Sequence, residues 1–325
     1  MRRLLPVLAA LLACAASAPT QAQGWTPSKP LRLVVPWAAG GSTDSIGRVV
    51  AARMQDALGQ PVIVENRPGA NAQIGTDVAA KAPADGYTMT ILELPHAVAP
   101  AVAANLPYDV LRDFAPIAML GASPLVLFGG AGATAPVDIA AFVKAGASAN
   151  PSFAMANSGT GSSSHLAAHL LGERANLRFI HVPYKGAAPA LADVASGATH
   201  GCFATLASGA GLVSSGKLRP LATASSRRMS APLMASVPTF AEAGLRDLDM
   251  DQWWALAAPA ATPNDAIERL RREALAALEG PQVRERFAGL GVEARPSTRD
   301  ELRAFLRAEV ARWQDTARKA GLKPE

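Results

Sequence analysis

Two short segments carry residue types suited to holding an anion without a cationic side chain. Pro36-Trp37-Ala38-Ala39-Gly40-Gly41-Ser42-Thr43-Asp44 and Asn157-Ser158-Gly159-Thr160-Gly161-Ser162-Ser163-Ser164-His165 each pass from an apolar run, through small residues, into a helical pattern. A helix start leaves its first N–H groups unpaired and carries roughly half a positive charge, and small side chains let a ligand reach the backbone. Charge-assisted hydrogen bonds contribute roughly 1.5 to 3 kcal/mol each and a helix start up to about 2 kcal/mol. Four or five such amides therefore reach the roughly 8 kcal/mol of a micromolar site after ordering costs. The expected chemistry is capture of a small anion.

Other chemistries find less support. Gly211-Leu212-Val213-Ser214-Ser215-Gly216-Lys217 matches most of a phosphate-binding loop, but Leu218 stands where a Ser or Thr must reach magnesium, and a strand-like run follows instead of a helix. Gly159-Thr160-Gly161 opens a dinucleotide-like fingerprint that ends in Ser164 without a clear acidic partner. His165 and His169 have the one-turn spacing of two metal ligands, yet Leu166 replaces the glutamate of a zinc-protease motif, so a helix-start cap and a core contact are expected there. An exported hydrolase using Ser162 or Ser163 with His165 remains an alternative, although no Gly-x-Ser-x-Gly elbow and no orienting acid accompany them. No metal, cofactor or catalytic residue is expected.

The elements that position these segments begin after residue 22. Arg2 and Arg3 precede an apolar run from Leu4 to Ala13 and then small residues, the pattern of an export signal over residues 1–22 with cleavage after Ala18 or Ala22. An alternative reading makes Leu11-Leu12-Ala13-Cys14 a lipobox with an acylated Cys14. After cleavage Cys202 is the one cysteine left, so no intrachain disulfide is expected. Removing Arg2 and Arg3 from the formal charge of +5 leaves 29 basic against 26 acidic residues. That balance, with no basic block interleaved with aromatics, argues against nucleic acid as partner. About 300 remaining residues, in a chain that is 50% hydrophobic, argue for two domains.

Strand-like runs alternate with helical patterns in the manner of parallel α/β sheets. Strands are expected at Leu31–Val35, Pro61–Glu65 and Gly86–Leu94, with a helix capped by Ser42, Thr43 or Asp44 and stopped by Gly59, and another over Ile74–Ala82. The pattern restarts with a strand at Leu125–Phe128 and continues through helices from Val137, Ser162 and Gly186 and strands at Ser152–Ala156, Arg178–Val182, His200–Leu206 and Leu218–Ala224. After Asp251 come long amphipathic helices at Pro263–Leu278, Pro281–Leu290 and Thr298–Ala320, which look like a cover returning to the first domain. A chain that leaves one domain and comes back crosses between the two twice, which makes a hinged cleft.

The first glycine segment, Val64-Glu65-Asn66-Arg67-Pro68-Gly69-Ala70, Ala84-Asp85-Gly86-Tyr87-Thr88, Leu106-Pro107-Tyr108-Asp109, His181-Val182-Pro183-Tyr184-Lys185-Gly186, Gly216-Lys217-Leu218-Arg219 and Val237-Pro238-Thr239 together resemble the substrate-binding receptors of tripartite tricarboxylate transporters, the Bug or TctC family. The resemblance implies an α/β, two-lobed type II periplasmic-binding-protein fold, a Venus flytrap with two hinge crossings. It implies lobe 1 over 23–123 plus 252–325 and lobe 2 over 124–251. It also implies a periplasmic monomer that captures a small carboxylate and presents it to a membrane permease, or, in a weaker reading, to a sensor. Carried onto this chain, the ligand-binding residues are Ala39, Gly40, Gly41, Ser42 and Asp44 facing Ser158, Gly159, Thr160, Gly161 and Ser162, with His165 beside them. Trp37 and Tyr184 stand as pocket walls, although Trp37 equally reads as lobe packing and Tyr184 with Lys185 as a lobe interface. The family commonly places Asp-Asn after the strand ending at Phe203, whereas this chain has Ala204-Thr205. Glu93-Leu94-Pro95-His96 replaces more usual small polar residues. Losing an acid at 204 removes a partner for a ligand ammonium, so a plain carboxylate is favoured over an amino acid, with Thr205, Glu93 or His96 as further polar contacts.

Overall fold

The computed structural model describes residues 24–150 and 152–319. The signal-peptide and lipobox readings fall outside the described residues. The architecture is α/β. Strands β1 (Leu31–Val35), β2 (Val62–Asn66) and β3 (Thr88–Glu93) pair in parallel, in the order β2-β1-β3. Helices α1 (Ser42–Leu58), α2 (Gln73–Ala80) and α3 (Leu94–Val102) follow them in turn. The helix α1 starts at Gly41, not at a side-chain cap, and stops at Gly59, whose φ of 68° lets its N–H close on the Gln55 carbonyl.

Strand β4 (Phe114–Gly130) is seventeen residues long and ties the molecule together. Its first part pairs antiparallel with β9 (Asp251–Pro259), which in turn lies antiparallel to β3. Its second part, from Leu125, pairs antiparallel with β7 (Gly201–Thr205) and β8 (Leu218–Thr223). β5 (Phe153–Asn157) lies parallel between β7 and the edge strand β6 (Phe179–Pro183). A two-residue β10 (Glu293–Ala294) pairs with β4 at Gly121 and Ala122. The sheet is therefore mixed, not purely parallel as the alternation suggests, because the long β4 and the returning β9 run against their neighbours. The chain passes between the two sheet regions at a knot of backbone bonds: Leu125 N–H to Met250 O, Met250 N–H to Ala224 O and Ala224 N–H to Leu125 O.

Around the second sheet region lie α4 (Ile139–Ser148), α5 (Ser163–Ala175), α6 (Ala187–Ser196) and α7 (Leu206–Ser214). The helices α8 (Asn264–Glu279), α9 (Pro281–Gly289) and α10 (Arg299–Lys319) return to the first, α8 packing on α1 and α10 on α3. Their apolar faces close cores around Trp254, Phe287 and Ile267 on one side and Trp253, Leu302 and Leu306 on the other. At about 25 cal/mol per Å² of apolar surface removed from water, such faces, not helix propensity, hold these charged helices in place.

Candidate functional site

Five helices begin on one small cavity. Gly41 caps α1, Glu93 caps α3, Ser162 caps α5, Thr205 caps α7, and Ala187 is the first residue of α6. All five residues line the cavity, together with Trp37, Ser42, Thr43, Ser158, Ser163, Ser208 and Gln252. Not one Lys or Arg is in the lining. The positive potential there comes from helix starts, as the sequence argument requires for two of them.

Unspent hydrogen-bonding capacity marks the same place. Trp37, Glu93 and Thr205 are each buried, and each keeps one polar atom without a partner: Trp37 Nε1, Glu93 Oε1 and Thr205 Oγ1. Buried polar groups are nearly always paired, so three orphans around one cavity point to a polar occupant. The volume is about 40 Å³, so a dicarboxylate enters only when the walls part. Two bonds draw them together: Ser42 N–H donates to Ser208 Oγ at 2.9 Å, and Ser163 Oγ–H donates to Gln252 Oε1 at 2.9 Å.

Glu93 is the one acidic residue in the lining. Thr43 Oγ1–H donates to its Oε2 at 2.8 Å, Gln252 Nε2 donates to the same oxygen, and Trp254 Nε1 supports Thr43 at 3.2 Å. Two donors make Oε2 the acceptor, so a neutral Glu93 carries its proton on Oε1, the orphan. Burial pushes its carboxyl up to about 8, against those hydrogen bonds. The helix starts pull the other way. His96, the partner of the Glu93 N–H through Nδ1 at 3.0 Å, is kept neutral by burial, which pushes it down to about 4.

Asp44 holds the first turn rather than the cavity. Its carboxylate accepts from Gly40 N–H at 2.9 Å, from Arg48 Nε at 3.0 Å and from Asn66 Nδ2 at 3.0 Å. Burial works to raise its pKa, but those bonds outweigh it and hold the carboxyl below the ordinary range. The Gly40 amide is thus spent. In the second turn Gly159 N–H goes to Asn157 Oδ1, Ser158 N–H to Ser164 Oγ, and Gly161 N–H to His165 Nδ1 at 3.1 Å. Gly159 at φ 135° and Gly161 at φ 77° need glycine, and the methyl either would carry as alanine meets Asn71. Asn71 sits mid-way through three successive left-handed residues, Ala70 to Ala72.

Of the residues expected at the site, Trp37, Gly41, Ser42, Ser158, Ser162 and Thr205 line the cavity. Ala39, Gly40, Asp44, Gly159, Thr160, Gly161, His165 and Tyr184 lie outside its lining, and Tyr184 O–H is bonded to Asp193. Glu93 is in the lining and His96 is not. Sequence reasoning missed Thr43, Ser208 and Gln252. The first follows the glycine turn directly, whereas the other two had no signal beyond being polar at an element end. The serine–histidine pair of a hydrolase is not assembled: Ser162 Oγ lies against Ser164 Oγ at 3.0 Å, Ser163 Oγ is bonded to Gln252, and His165 Nδ1 accepts from Gly161. Nor is His169 the core contact expected of it. It is exposed, and a third imidazole, His181, stacks on it. A larger groove of about 1090 Å³ lies across β9, lined by Trp253, Met119, Phe305 and Arg295, but neither glycine turn reaches it.

Comparison with known proteins identifies the family and the fold. Residues 46–322 match the family described as "Tripartite tricarboxylate transporter family receptor". The chain is 36% identical over 329 residues to Protein BugT of Bordetella pertussis, spanning 99% of each. It superposes on the periplasmic binding protein BugD at TM-score 0.86 and 30% identity, over 92% of this chain and 100% of that one. MatC from Rhodopseudomonas palustris, solved with malate bound, superposes at TM-score 0.82 and 31% identity, over 90% and 99%. The matching family is one of transporter receptors and BugD is a periplasmic binding protein, and among the described residues no helix is long and apolar enough to cross a membrane. By sequence and by fold, then, the chain belongs to the tripartite tricarboxylate transporter receptor family, the Bug or TctC proteins.

Proposed function

We propose that this protein is an extracytoplasmic receptor that closes on a small plain carboxylate in the cavity at the five helix starts and hands it to the membrane permease of a tripartite tricarboxylate transporter. The observation that carries the reading is the convergence of those helix starts on three orphaned polar atoms, with no cation in the lining. One ligand carboxylate takes the amides of the α1 and α5 starts, with Trp37 Nε1–H and Thr205 Oγ1–H as fixed donors. Glu93, neutral, donates from Oε1. The lobes are assigned as 23–123 plus 252–325 and 124–251, because the chain changes sheet region at Leu125 and at Met250. Opening at those two crossings separates Ser42 from Ser208 and Ser163 from Gln252.

A plain acid is favoured over an amino acid because Ala204 lines the cavity where the family commonly has an acid, and Glu93, the one acid present, is held towards its neutral form. The relative solved with malate is consistent with that class. A thermal-shift panel of mono-, di- and tricarboxylates, with aspartate and glutamate included, tests it. A ligand at one hundred times its Kd adds about 2.7 kcal/mol of stability. A plain dicarboxylate or tricarboxylate giving the largest rise supports the reading. Aspartate or glutamate giving the largest rise overturns the ligand class, and no rise from any acid overturns the receptor site.

A further inference from the structure

We propose that His165, His169 and His181 form a three-nitrogen site for a borderline transition-metal cation of the Zn2+ class, outside the carboxylate cavity. His165 and His169 stand one turn apart on α5, and His181 comes from the neighbouring edge strand β6. One ring nitrogen from each lies within 4.8 Å of the others. His165 Nε2 and His169 Nε2 face each other at 3.2 Å, close to the roughly 3.3 Å between two imidazole nitrogens on a tetrahedral zinc. The widest pair has to close by at most about 1.5 Å to match that spacing, a rotamer adjustment for side chains of which one is exposed and two half-buried.

Three imidazoles packed together need a reason. Among the described residues no carboxylate is hydrogen-bonded to any of the rings, and His181 Nδ1 is buried without a partner. A donor set of nitrogens alone selects zinc, copper or nickel over calcium and magnesium, which want oxygen. Exposure of His169 leaves a fourth position for water or a small anion. Binding has a local cost: a metal on His165 Nε2 places the ring proton on Nδ1, which then no longer accepts from Gly161 N–H. Occupancy therefore releases that amide in the second glycine turn.

The test is calorimetric titration of ZnCl2 into the full chain, free of any affinity tag, stripped with chelator and without organic acid in the buffer. The expected result is one ion per chain at micromolar Kd or tighter, weakened at least tenfold in His169→Ala and in His181→Gln, with the Gly161 amide resonance shifting as zinc is added. Cobalt substitution should give the visible bands of a nitrogen-ligated ion. Less than a tenth of an ion per chain, or wild-type affinity in His169→Ala, overturns the site. Should His181→Gln fail to fold, the exposed His169→Ala carries the test alone. Because no carboxylate takes part, the result stands independently of the receptor reading.

Discussion

Replacing Glu93 by Gln should change stability with pH in one direction only. The folded protein keeps the Glu93 proton up to about pH 8, against an ordinary value of 4.5. Between those values the folded state binds a proton that the unfolded chain has lost, so stability falls as pH rises through the window and is flat on either side. The cost above pH 8 amounts to at most about 5 kcal/mol, reduced by the helix starts that favour the anion. Gln at this position keeps an acceptor for Thr43 and Gln252 and never ionises. The variant should therefore match wild type near pH 4.5 and exceed it at pH 9. At about 0.6 kcal/mol per degree for a chain of this length, the difference in Tm is up to roughly 8 °C. Melting both proteins by circular dichroism at pH 5, 7 and 9 measures it. A difference that stays the same across that range would refute the reasoning, because Glu93 would then ionise alike in both states.

Trp37→Phe removes an unpartnered buried N–H together with the pyrrole part of the indole, so the gain of about 1 kcal/mol from removing the orphan is offset by lost packing; the stability of the ligand-free protein should change little while carboxylate binding weakens tenfold or more, read by chemical denaturation and calorimetry. Asp44→Ala strips the acceptor from Gly40, Arg48 and Asn66 and should cost about 2 kcal/mol of stability. With the Asp44 carboxyl held below its ordinary value, its contribution is present above that ordinary value and disappears as pH falls through the folded one. Stability curves of variant and wild type should therefore converge in acid. Gly161→Ala, at φ 77° and against Asn71, should cost about 1 to 2 kcal/mol through left-handed strain, measured as a lowered denaturation midpoint.

Much of the fold was legible in the chain because Gly, Ser and Pro punctuate it. Gly59 ends α1 and Pro281 starts α9 where the sequence indicates. The long β4 was not legible beyond Leu125–Phe128, because Pro116, Gly121 and Pro124 read as breaks. In the structure register shifts between Pro116 and Ala118 and between Met119 and Gly121 absorb the first two, and Pro124 stays in register opposite Asp251. The helix α7 was hidden by Gly209 and Gly211, residues that weaken helical patterns. At the site, the two glycine turns declared themselves through composition, which is local. Ser208 and Gln252 did not, because they reach the site from elements far apart in sequence, Gln252 bonding to Glu93 across 159 residues. His181 joined His165 and His169 for a different reason: strand β6 is the next element after α5 and folds back beside it, a contact that spacing alone does not show. Several amides of the turns proved to be engaged internally, by Asp44, Asn157 and His165, a detail that depends on side-chain rotamers and leaves no mark on spacing.

The most direct check on the central claim is calorimetric titration of the strongest acid from the panel into wild type, Trp37→Phe and Thr205→Val. Binding of one acid per chain at micromolar Kd, weakened at least tenfold in each variant while both remain folded, is the expected result. Wild-type affinity in both variants would contradict it, placing the ligand somewhere other than the cavity where the five helices begin.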